Sequence, residues 1–393
     1  MNFDLNKIRS ETPGCHDKLF FNSAGSSLPP KCVTDIIKNY LEEEQFCGGY
    51  FLQEKFESEI RNCKKEIAHL LNTKEKNIAL SYNATDAMSK ALSSITFKSG
   101  DVVFTTDDDY VSNQFALISL EKRIGIQLIR TRNLESGGID FNDLDELINR
   151  HKPKSFVATH CPSNSGLIQD VERIGAICHK YNILFVLDAC QSVGQLPVDV
   201  QKINCDFLCA TGRKFLRGPR GTGFLYVSDK ILKSDFYPLF IDLNGATWTN
   251  SNSFEVQKSA QRFEYWENNY ALVLGLGAAV KYSNSIGMET IAKENKKLVD
   301  RFRNNINSIP KIKIMDRGDV LSSIITLQIQ GIEKIELKNY LEKASVYFSF
   351  SNSTIALIDF KKKNIDYALR ISPHYFNSIE EIDRLCLLLE QIK

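Results

Sequence analysis

A lone lysine, Lys214, lies in the segment CDFLCATGRKFLRGPRGTGFLYV (205–227), directly after Arg213 and before a glycine-rich bend. A lysine amine forms a Schiff base with an aldehyde only when part of it is deprotonated, and burial or a neighbouring cation lowers its pKa. The alternative is a basic pair on a surface turn. The glycine-rich surroundings favour a nucleophile that must stand at one fixed point of a pocket.

Asp188 directly follows the apolar run ILFVL (183–187), which places it at the end of a buried strand. A carboxylate there is unfavourable without a cationic or hydrogen-bonding partner. A protonated pyridine nitrogen is such a partner, and an Asp on that nitrogen makes the ring an electron sink. Gln191 could reach the phenolic oxygen of the same ring. The alternative is that Asp188 caps the N-terminus of a following helix.

Small residues precede the helical stretch AMSKAL in LSYNATDAMSKAL (80–92), where Ala84 and Thr85 follow Asn83. Backbone N–H groups at a helix start can bind an anion, although Asn and Thr also cap helices without any ligand. A phosphate site, an Asp at one strand end and a Lys 26 residues later (214 minus 188) at another describe a single ligand. That ligand is pyridoxal 5′-phosphate.

Apolar runs that alternate with amphipathic stretches would position these residues. Strands are predicted at VVFTT (102–106), IQLIRT (126–131), SFVATH (155–160), ILFVLDA (183–189), FLCATG (207–212) and GFLYV (223–227). Such alternation favours a mainly parallel sheet with helices on both faces over about residues 75–230. Ligands bind at the carboxyl ends of the strands in these sheets. Asp188, Thr211, Lys214, Tyr110 and Asn113 all lie near predicted strand ends.

The pattern changes after Pro238. Long helical material over 270–307 precedes strands and helices that interleave up to residue 392. We expect an N-terminal arm (1–20), a large domain (21–260), and a linking helix with a smaller α+β domain (261–393).

Charge and composition exclude several functional classes. The 393 residues carry 49 basic and 48 acidic side chains, a net charge of +1, which disfavours a nucleic-acid partner. The sequence contains no run of about 18 apolar residues, the length that a membrane-spanning helix needs. The ten cysteines lack a disulfide or metal-site spacing, and the N-terminus lacks the apolar core of a signal peptide. We therefore expect a cytoplasmic protein with no metal.

The motifs together resemble the class V aminotransferase family of fold-type I pyridoxal-phosphate enzymes, over nearly the whole chain. They are FFNSAGSSLPP, CGGYF, NATDA, THCPSNSGLIQDV, LDACQSVGQLPVDV, TGRKFLRGPRGTG, RFEYWENN and RISPHYFN. The resemblance implies an α/β fold of the aspartate aminotransferase type. Its large domain has a mainly parallel seven-stranded sheet, and its C-terminal α+β domain is smaller.

The resemblance also implies roles for individual residues. Lys214 would carry the Schiff base and move the proton at the substrate's α-carbon. The implied cofactor contacts are Asp188 at the pyridinium nitrogen, Gln191 and either Asn164 or Ser163 at the ring oxygen, Tyr110 stacked on the ring, and Ala84, Thr85, Thr211 and Arg213 at the phosphate.

The remaining implied roles concern the substrate and a second subunit. Arg370 matches the arginine that binds the substrate carboxylate, with a buried structural arginine as the alternative. Asn22 is implied to line the substrate pocket. The family places its active site at a homodimer interface, so Glu267 and Asn268 are candidates to reach the partner's phosphate.

One departure from the family bears on the reaction. Cysteine desulfurases carry a nucleophilic cysteine on a loop about 15 residues before the carboxylate-binding arginine. Here that window reads SNSTIALIDFKKKNIDYALR (351–370) and contains no cysteine. Sulfur transfer through such a thiol is therefore disfavoured. The GGY block (48–50) and the form GRKFLRGPRG (212–221) resemble the lyase and epimerase members of the family, so we favour α,β-elimination of a C–S lyase type on a cysteine-derived amino acid. Transamination and epimerisation are the alternatives within the family, and a non-catalytic protein of this fold is a minor one.

Overall fold

The computed structural model describes residues 3–392, so residues 1, 2 and 393 of the predicted arm and C-terminal domain lie outside the described residues. In chain order, its strands are β1 (Leu19–Phe20), β2 (Ile78–Ser81), β3 (Val102–Thr105), β4 (Gln127–Arg130), β5 (Ser155–Thr159), β6 (Leu184–Asp188), β7 (Phe207–Thr211), β8 (Gly223–Val227), β9 (Ala246–Asn250), β10 (Ser253–Val256), β11 (Ile312–Ile314), β12 (Ile325–Ile329), β13 (Val346–Tyr347), β14 (Ser349–Asn352) and β15 (Tyr367–Ile371).

The α-helices, in the same order, are α1 (Leu5–Ser10), α2 (Ser23–Ser26), α3 (Lys31–Cys47), α4 (Gly49–Lys55), α5 (Glu57–Leu70), α6 (Ala84–Ser94), α7 (Val111–Ile124), α8 (Phe141–His151), α9 (Val171–Lys180), α10 (Val200–Ile203), α11 (Asp229–Leu232), α12 (Tyr270–Ile286), α13 (Met288–Ile306), α14 (Lys334–Lys343), α15 (Leu357–Lys363) and α16 (Ile379–Glu390).

Within the described residues, the larger sheet has seven strands in the order β2-β8-β7-β6-β5-β3-β4. β8 runs in the opposite direction to the other six strands of this sheet. Successive residues of β6 join different cores, since Phe185 packs on one face and Val186 on the other. Burial on both faces explains why these strands are apolar throughout rather than alternating. The predicted seven-stranded sheet is confirmed, and β2 is the seventh strand, which the apolar runs alone had not indicated.

The register of this sheet brings the ends of several strands together. Ser81 of β2 and Thr211 of β7 both pair with Gly223 of β8. A Cβ atom on Gly223 would lie 2.8 Å from the backbone carbon of Asn83, so only glycine allows this close approach. The start of α6 and the end of β7 therefore lie at the same edge, next to the end of β6.

The smaller sheet is antiparallel, in the order β11-β12-β15-β14. Phe302 of α13, Leu327 of β12, Leu369 of β15 and Leu385 of α16 share its hydrophobic core. The N-terminal segment joins this unit because β1 pairs in parallel with β13. Helix α12 instead contributes to the core of the large sheet. The exact domain boundaries stay predictions.

A hairpin of β9 and β10 projects from the large domain and was not predicted. Its Trp248 is 79% exposed. Every helix in the described range is too short or too polar to cross a lipid bilayer. Over residues 3–392, no group of three or more His, Cys, Asp or Glu side chains is arranged to hold a metal ion.

Candidate active site

Lys214 lies just beyond the end of β7, and its side chain is buried. Its Nζ is 5.7 Å from the centroid of the Tyr110 ring. Burial lowers the pKa of Lys214, and the cations Arg213 and Arg370 lower it further, against the opposing effects of Cys190 and Asp188. Both the predicted desolvation and the predicted cationic neighbour are therefore present. The amine is suited to attack a carbonyl.

Asp188 ends β6 and is buried. Its Oδ1 accepts a hydrogen bond from the Cys190 backbone N–H at 2.9 Å, and its Oδ2 accepts one from Asn113 Nδ2 at 2.9 Å. No α-helix begins at Asp188, since turns continue to the start of α10, so the helix-cap interpretation is wrong. Among residues 3–392, no basic side chain forms an ion pair with Asp188. This buried carboxylate therefore fits a cationic ligand group such as a pyridinium.

A second buried carboxylate, Asp109, lies beside Asp188. Asn113 bridges the two, because its Nδ2 also donates to Asp109 Oδ1 at 3.2 Å. Burial raises the pKa of Asp109, and the charge of Asp188 adds to that effect, whereas donors such as Thr159 oppose it. The sequence analysis had noted Asn113 near a strand end without giving it a role. The structure makes it the donor that lets two carboxylates lie close together.

Gln191 and Asn22 both retain unsatisfied polar atoms. Gln191 is 2% exposed, and its Nε2 donates to the Ala24 carbonyl at 3.1 Å. Its Oε1 is buried without a hydrogen-bond partner in the described chain, and so is Oδ1 of Asn22. Buried polar atoms normally have partners. These two unsatisfied oxygens fit a site that is completed by a polar ligand.

The predicted phosphate residues meet at the edge formed by β2, β8 and β7. Ala84 and Thr85 are the first residues of α6, whose N-cap Asn83 accepts a hydrogen bond from the Asp86 N–H at 2.9 Å. The first N–H groups of a helix lack intrahelical partners and favour an anion. Thr211 lies across the edge and is buried. Arg213, however, donates to the Gly25 carbonyl, so its phosphate role stays a prediction.

Arg370 lies on β15 of the smaller sheet and is 9% exposed. Its Nε donates to Ser349 Oγ, and one Nη donates to the Ser163 carbonyl, each at 2.9 Å. Burial and the nearby Arg213 lower the pKa of Arg370 to about 10, so it remains charged at neutral pH. None of the ion pairs found within residues 3–392 includes it. A buried guanidinium without an acidic partner fits the binding of a substrate carboxylate.

Three of the predicted cofactor residues contact other parts of the chain or lie on its surface. Asn164 is buried, but its Nδ2 donates to Asp359 of α15 at 2.8 Å, so its role at the ring oxygen stays a prediction. Glu267 and Asn268 lie in a surface segment, where the Glu267 carbonyl accepts a hydrogen bond from the Tyr82 hydroxyl. Their crossing to a partner stays a prediction as well.

The structure also reveals neighbours of the site that the sequence analysis had not singled out. Cys190 lies within electrostatic range of Asp188 and Lys214, and burial raises its pKa well above the usual thiol range. It lies within the quoted DACQ motif, but nothing in the sequence showed that it was buried. Arg217, in the same glycine-rich bend, is almost fully buried against the N-terminal segment and Tyr375.

A mainly parallel sheet with a buried lysine and aspartate at its carboxyl edge, joined to a small antiparallel domain, defines a two-domain α/β enzyme. A model of the family "Aminotransferase class-V" matches residues 19–385. The chain belongs to this family, which uses pyridoxal 5′-phosphate.

Individual proteins show the same relationship. The chain is 25% identical over 391 residues to a probable cysteine desulfurase of Methanothermobacter thermautotrophicus, covering 98% of this chain and 97% of that protein. The fold is similar to the apo structure of a cysteine desulfurase from Thermococcus onnurineus NA1, with a TM-score of 0.90, 24% identity and coverage of 98% and 97%. It is also similar to the cystine C–S lyase C-DES in complex with its reaction product cysteine persulfide, with a TM-score of 0.85, 19% identity and coverage of 97% and 99%.

Proposed function

We propose that this chain catalyses the α,β-elimination of a sulfur leaving group from cysteine or a cysteine derivative. The carrying observation is that a buried lysine amine and the buried guanidinium of Arg370 share one site, while the segment before that arginine has no cysteine. For cysteine, the reaction consumes water and yields pyruvate, ammonia and hydrogen sulfide. For cystine, the sulfur product is cysteine persulfide.

The proposed cofactor residues are those that the resemblance to the family implies, and their positions in the site support the assignment. Asp188 would hold the pyridinium nitrogen of pyridoxal phosphate, Gln191 its ring oxygen, and the start of α6 with Thr211 its phosphate. When bound, the cofactor supplies an electron sink for negative charge at the substrate's α-carbon. Tyr110 lies next to Lys214, where its ring would cover one face of the cofactor.

Lys214 has two tasks in this proposal. It provides the covalent attachment point, and its amine removes the proton from the α-carbon of the substrate once that attachment has been released. Both tasks need an uncharged amine. Burial and the neighbouring cations favour that form, since they lower the pKa of Lys214.

The names of the relatives support a cysteine-derived substrate, and the cysteines of this chain distinguish between two reactions on it. A desulfurase transfers sulfur to a reactive thiolate. All ten cysteines are free thiols, but none falls between Cys209 and Cys386. Cys190 is near Lys214, yet burial keeps it a neutral thiol. Elimination needs no protein thiol, so it is the reaction that this set of residues supports.

The products test the proposal. We expect the purified chain with pyridoxal phosphate to release equal amounts of pyruvate and ammonia from cysteine or cystine. The Lys214→Ala variant should lose this activity. Borohydride reduction should link the cofactor permanently to residue 214 in the wild type but not in the variant. Lys90→Ala, which removes another buried lysine distant in sequence, is the control for lysine loss. Formation of alanine with a protein persulfide would establish desulfuration instead, and formation of a keto acid without free ammonia would establish transamination.

We also propose a homodimer in the cytoplasm. Large apolar side chains, among them Phe46, Tyr50 and Trp248, are 79% or more exposed on the isolated chain, which supports a covering partner. The free thiols support a reducing compartment. Light scattering after size exclusion should give twice the chain mass, and Trp248→Glu combined with Tyr50→Glu should shift the mass toward the monomer.

A further inference from the structure

His374 connects the small domain to the residue that follows the active-site lysine. It lies three residues beyond the end of β15 and is fully buried. Its Nε2 is 2.8 Å from the backbone carbonyl oxygen of Phe215, and the two rings meet edge to face at 5.1 Å. Phe215 directly follows Lys214. The imidazole therefore contacts the backbone one residue away from the reactive amine.

The surroundings fix the protonation state of this histidine. A carbonyl oxygen can only accept, so Nε2 must carry the proton. Nδ1 lies 3.1 Å from Oδ1 of Asn295 on α13, and Nδ2 of the same amide is buried without a hydrogen-bond partner in the described residues. A neutral imidazole cannot donate to two oxygens, so we assign the reversed amide orientation, in which Nδ2 donates to Nδ1 and both groups are satisfied. Burial and the nearby Arg217 cation lower the pKa of His374 well below its usual range, which favours the same neutral form.

Other contacts enclose the same stretch of backbone. Arg217 adopts a left-handed conformation (φ 61°) and donates to the Leu28 carbonyl, the Tyr375 hydroxyl and Thr12 Oγ1 at 2.6 to 2.8 Å. On another side, a Cβ atom on Gly194 would lie 2.4 Å from the backbone of Phe215 and Leu216. The backbone after Lys214 is therefore held on several sides, and His374 provides a side-chain hydrogen bond to the residue that follows the lysine.

We propose that His374 is a positioning residue that holds Lys214 in its buried position through the Phe215 carbonyl. This inference rests on the proposed role of Lys214. The same segment also carries Arg370, four residues earlier, so one piece of chain fixes the lysine and the arginine relative to each other. Loss of the histidine donor leaves a buried carbonyl unsatisfied and lets the loop open more often.

The test measures Lys214 directly, without turnover. The full-length apoprotein is labelled with a trace of acetic anhydride between pH 6 and 10, and the modified lysines are quantified by peptide mass. We expect His374→Leu to raise the labelling rate of Lys214 by about 5- to 140-fold, the range that corresponds to an unsatisfied buried carbonyl. His374→Gln keeps an N–H donor of similar reach and should stay within about threefold of the wild type.

Lys90 provides an internal control because it is also buried but lies on α6, where it pairs with Asp86. Equal increases at Lys90 and Lys214 would show general destabilisation and overturn the proposal. The proposal would also be overturned if His374→Leu and His374→Gln changed the labelling rate of Lys214 equally. If His374→Leu does not fold, Asn295→Leu removes only the tautomer-fixing amide and should raise labelling of Lys214 alone. Cofactor uptake by the wild type is measured separately, so failure of the proposed function is distinguishable from failure of this inference.

Discussion

Replacement of Arg370 by Gln tests the substrate end of the site. The guanidinium has five N–H donors, and two of them are used by Ser349 Oγ and the Ser163 carbonyl, which leaves three (5 minus 2) for a ligand. Three donors and a full charge are sufficient for a two-pronged carboxylate contact. Gln supplies at most two donors and no charge.

The magnitude follows from the burial of this contact. Truncation of one partner of a buried, hydrogen-bonded charge pair costs about 2 to 5 kcal/mol. At about 1.4 kcal/mol per factor of ten, kcat/KM for an amino acid should fall by about 30- to 4,000-fold in Arg370→Gln. Arg370→Lys keeps the charge without the planar fork and should lose less. Arg384→Gln, at an exposed arginine of α16, should change little.

The assay compares substrates with and without a carboxylate. Steady-state pyruvate release gives kcat/KM for cysteine, and the spectral change of the bound cofactor gives the affinity for cysteamine, which lacks the carboxyl group. We expect a large loss for cysteine and almost none for cysteamine. An equal loss for both compounds would refute carboxylate binding and support the alternative of a structural arginine.

Two further predictions concern buried groups around the site. Asn113→Ala removes charge-assisted hydrogen bonds to Asp109 and Asp188. We therefore expect the free energy of unfolding, measured in urea, to fall by about 3 kcal/mol and pyridoxal phosphate to bind more weakly. An unchanged free energy of unfolding would show that these carboxylates do not depend on the hydrogen bonds of Asn113. Burial lowers the pKa of His160 from 6.5 to about 4, so the unfolded chain binds more protons between these pH values. The free energy of unfolding should therefore fall as the pH drops from 6.5 toward 4, and His160 should account for at most about 3 kcal/mol of that loss. His160→Gln should flatten that part of the stability curve, and an unchanged slope would assign it to other groups.

The sequence was sufficient for the parts of this protein that depend on local pattern. Continuous apolar runs predicted the strands because a sheet covered on both faces has no polar side. Asp188 was found because a carboxylate at the end of a buried strand needs a partner, and Lys214 was found because it lies in glycine-rich surroundings. β2 was missed because its four residues run directly into the polar start of α6. The exposed β9–β10 hairpin was missed because an exposed strand lacks the apolar signal of a buried one.

Contacts between residues distant in the sequence required the tertiary structure. Arg213 and Arg217 lie in the same bend, and no local rule tells that one faces Gly25 near the site while the other is buried against Tyr375. The pairing of Asn164 with Asp359 joins residues 195 positions apart.

The sequence by itself therefore indicated the chemistry, since residue type and strand position already make Lys214 the candidate for a Schiff base and Asp188 the candidate partner of a pyridinium. Only the tertiary structure decided how firmly that chemistry is held. The pKa of Lys214, the bridge between Asp109 and Asp188, and the contact of His374 with the Phe215 carbonyl all depend on burial and on groups brought together from separate elements. Desolvation and hydrogen bonding act through distances in space, which a linear pattern does not contain.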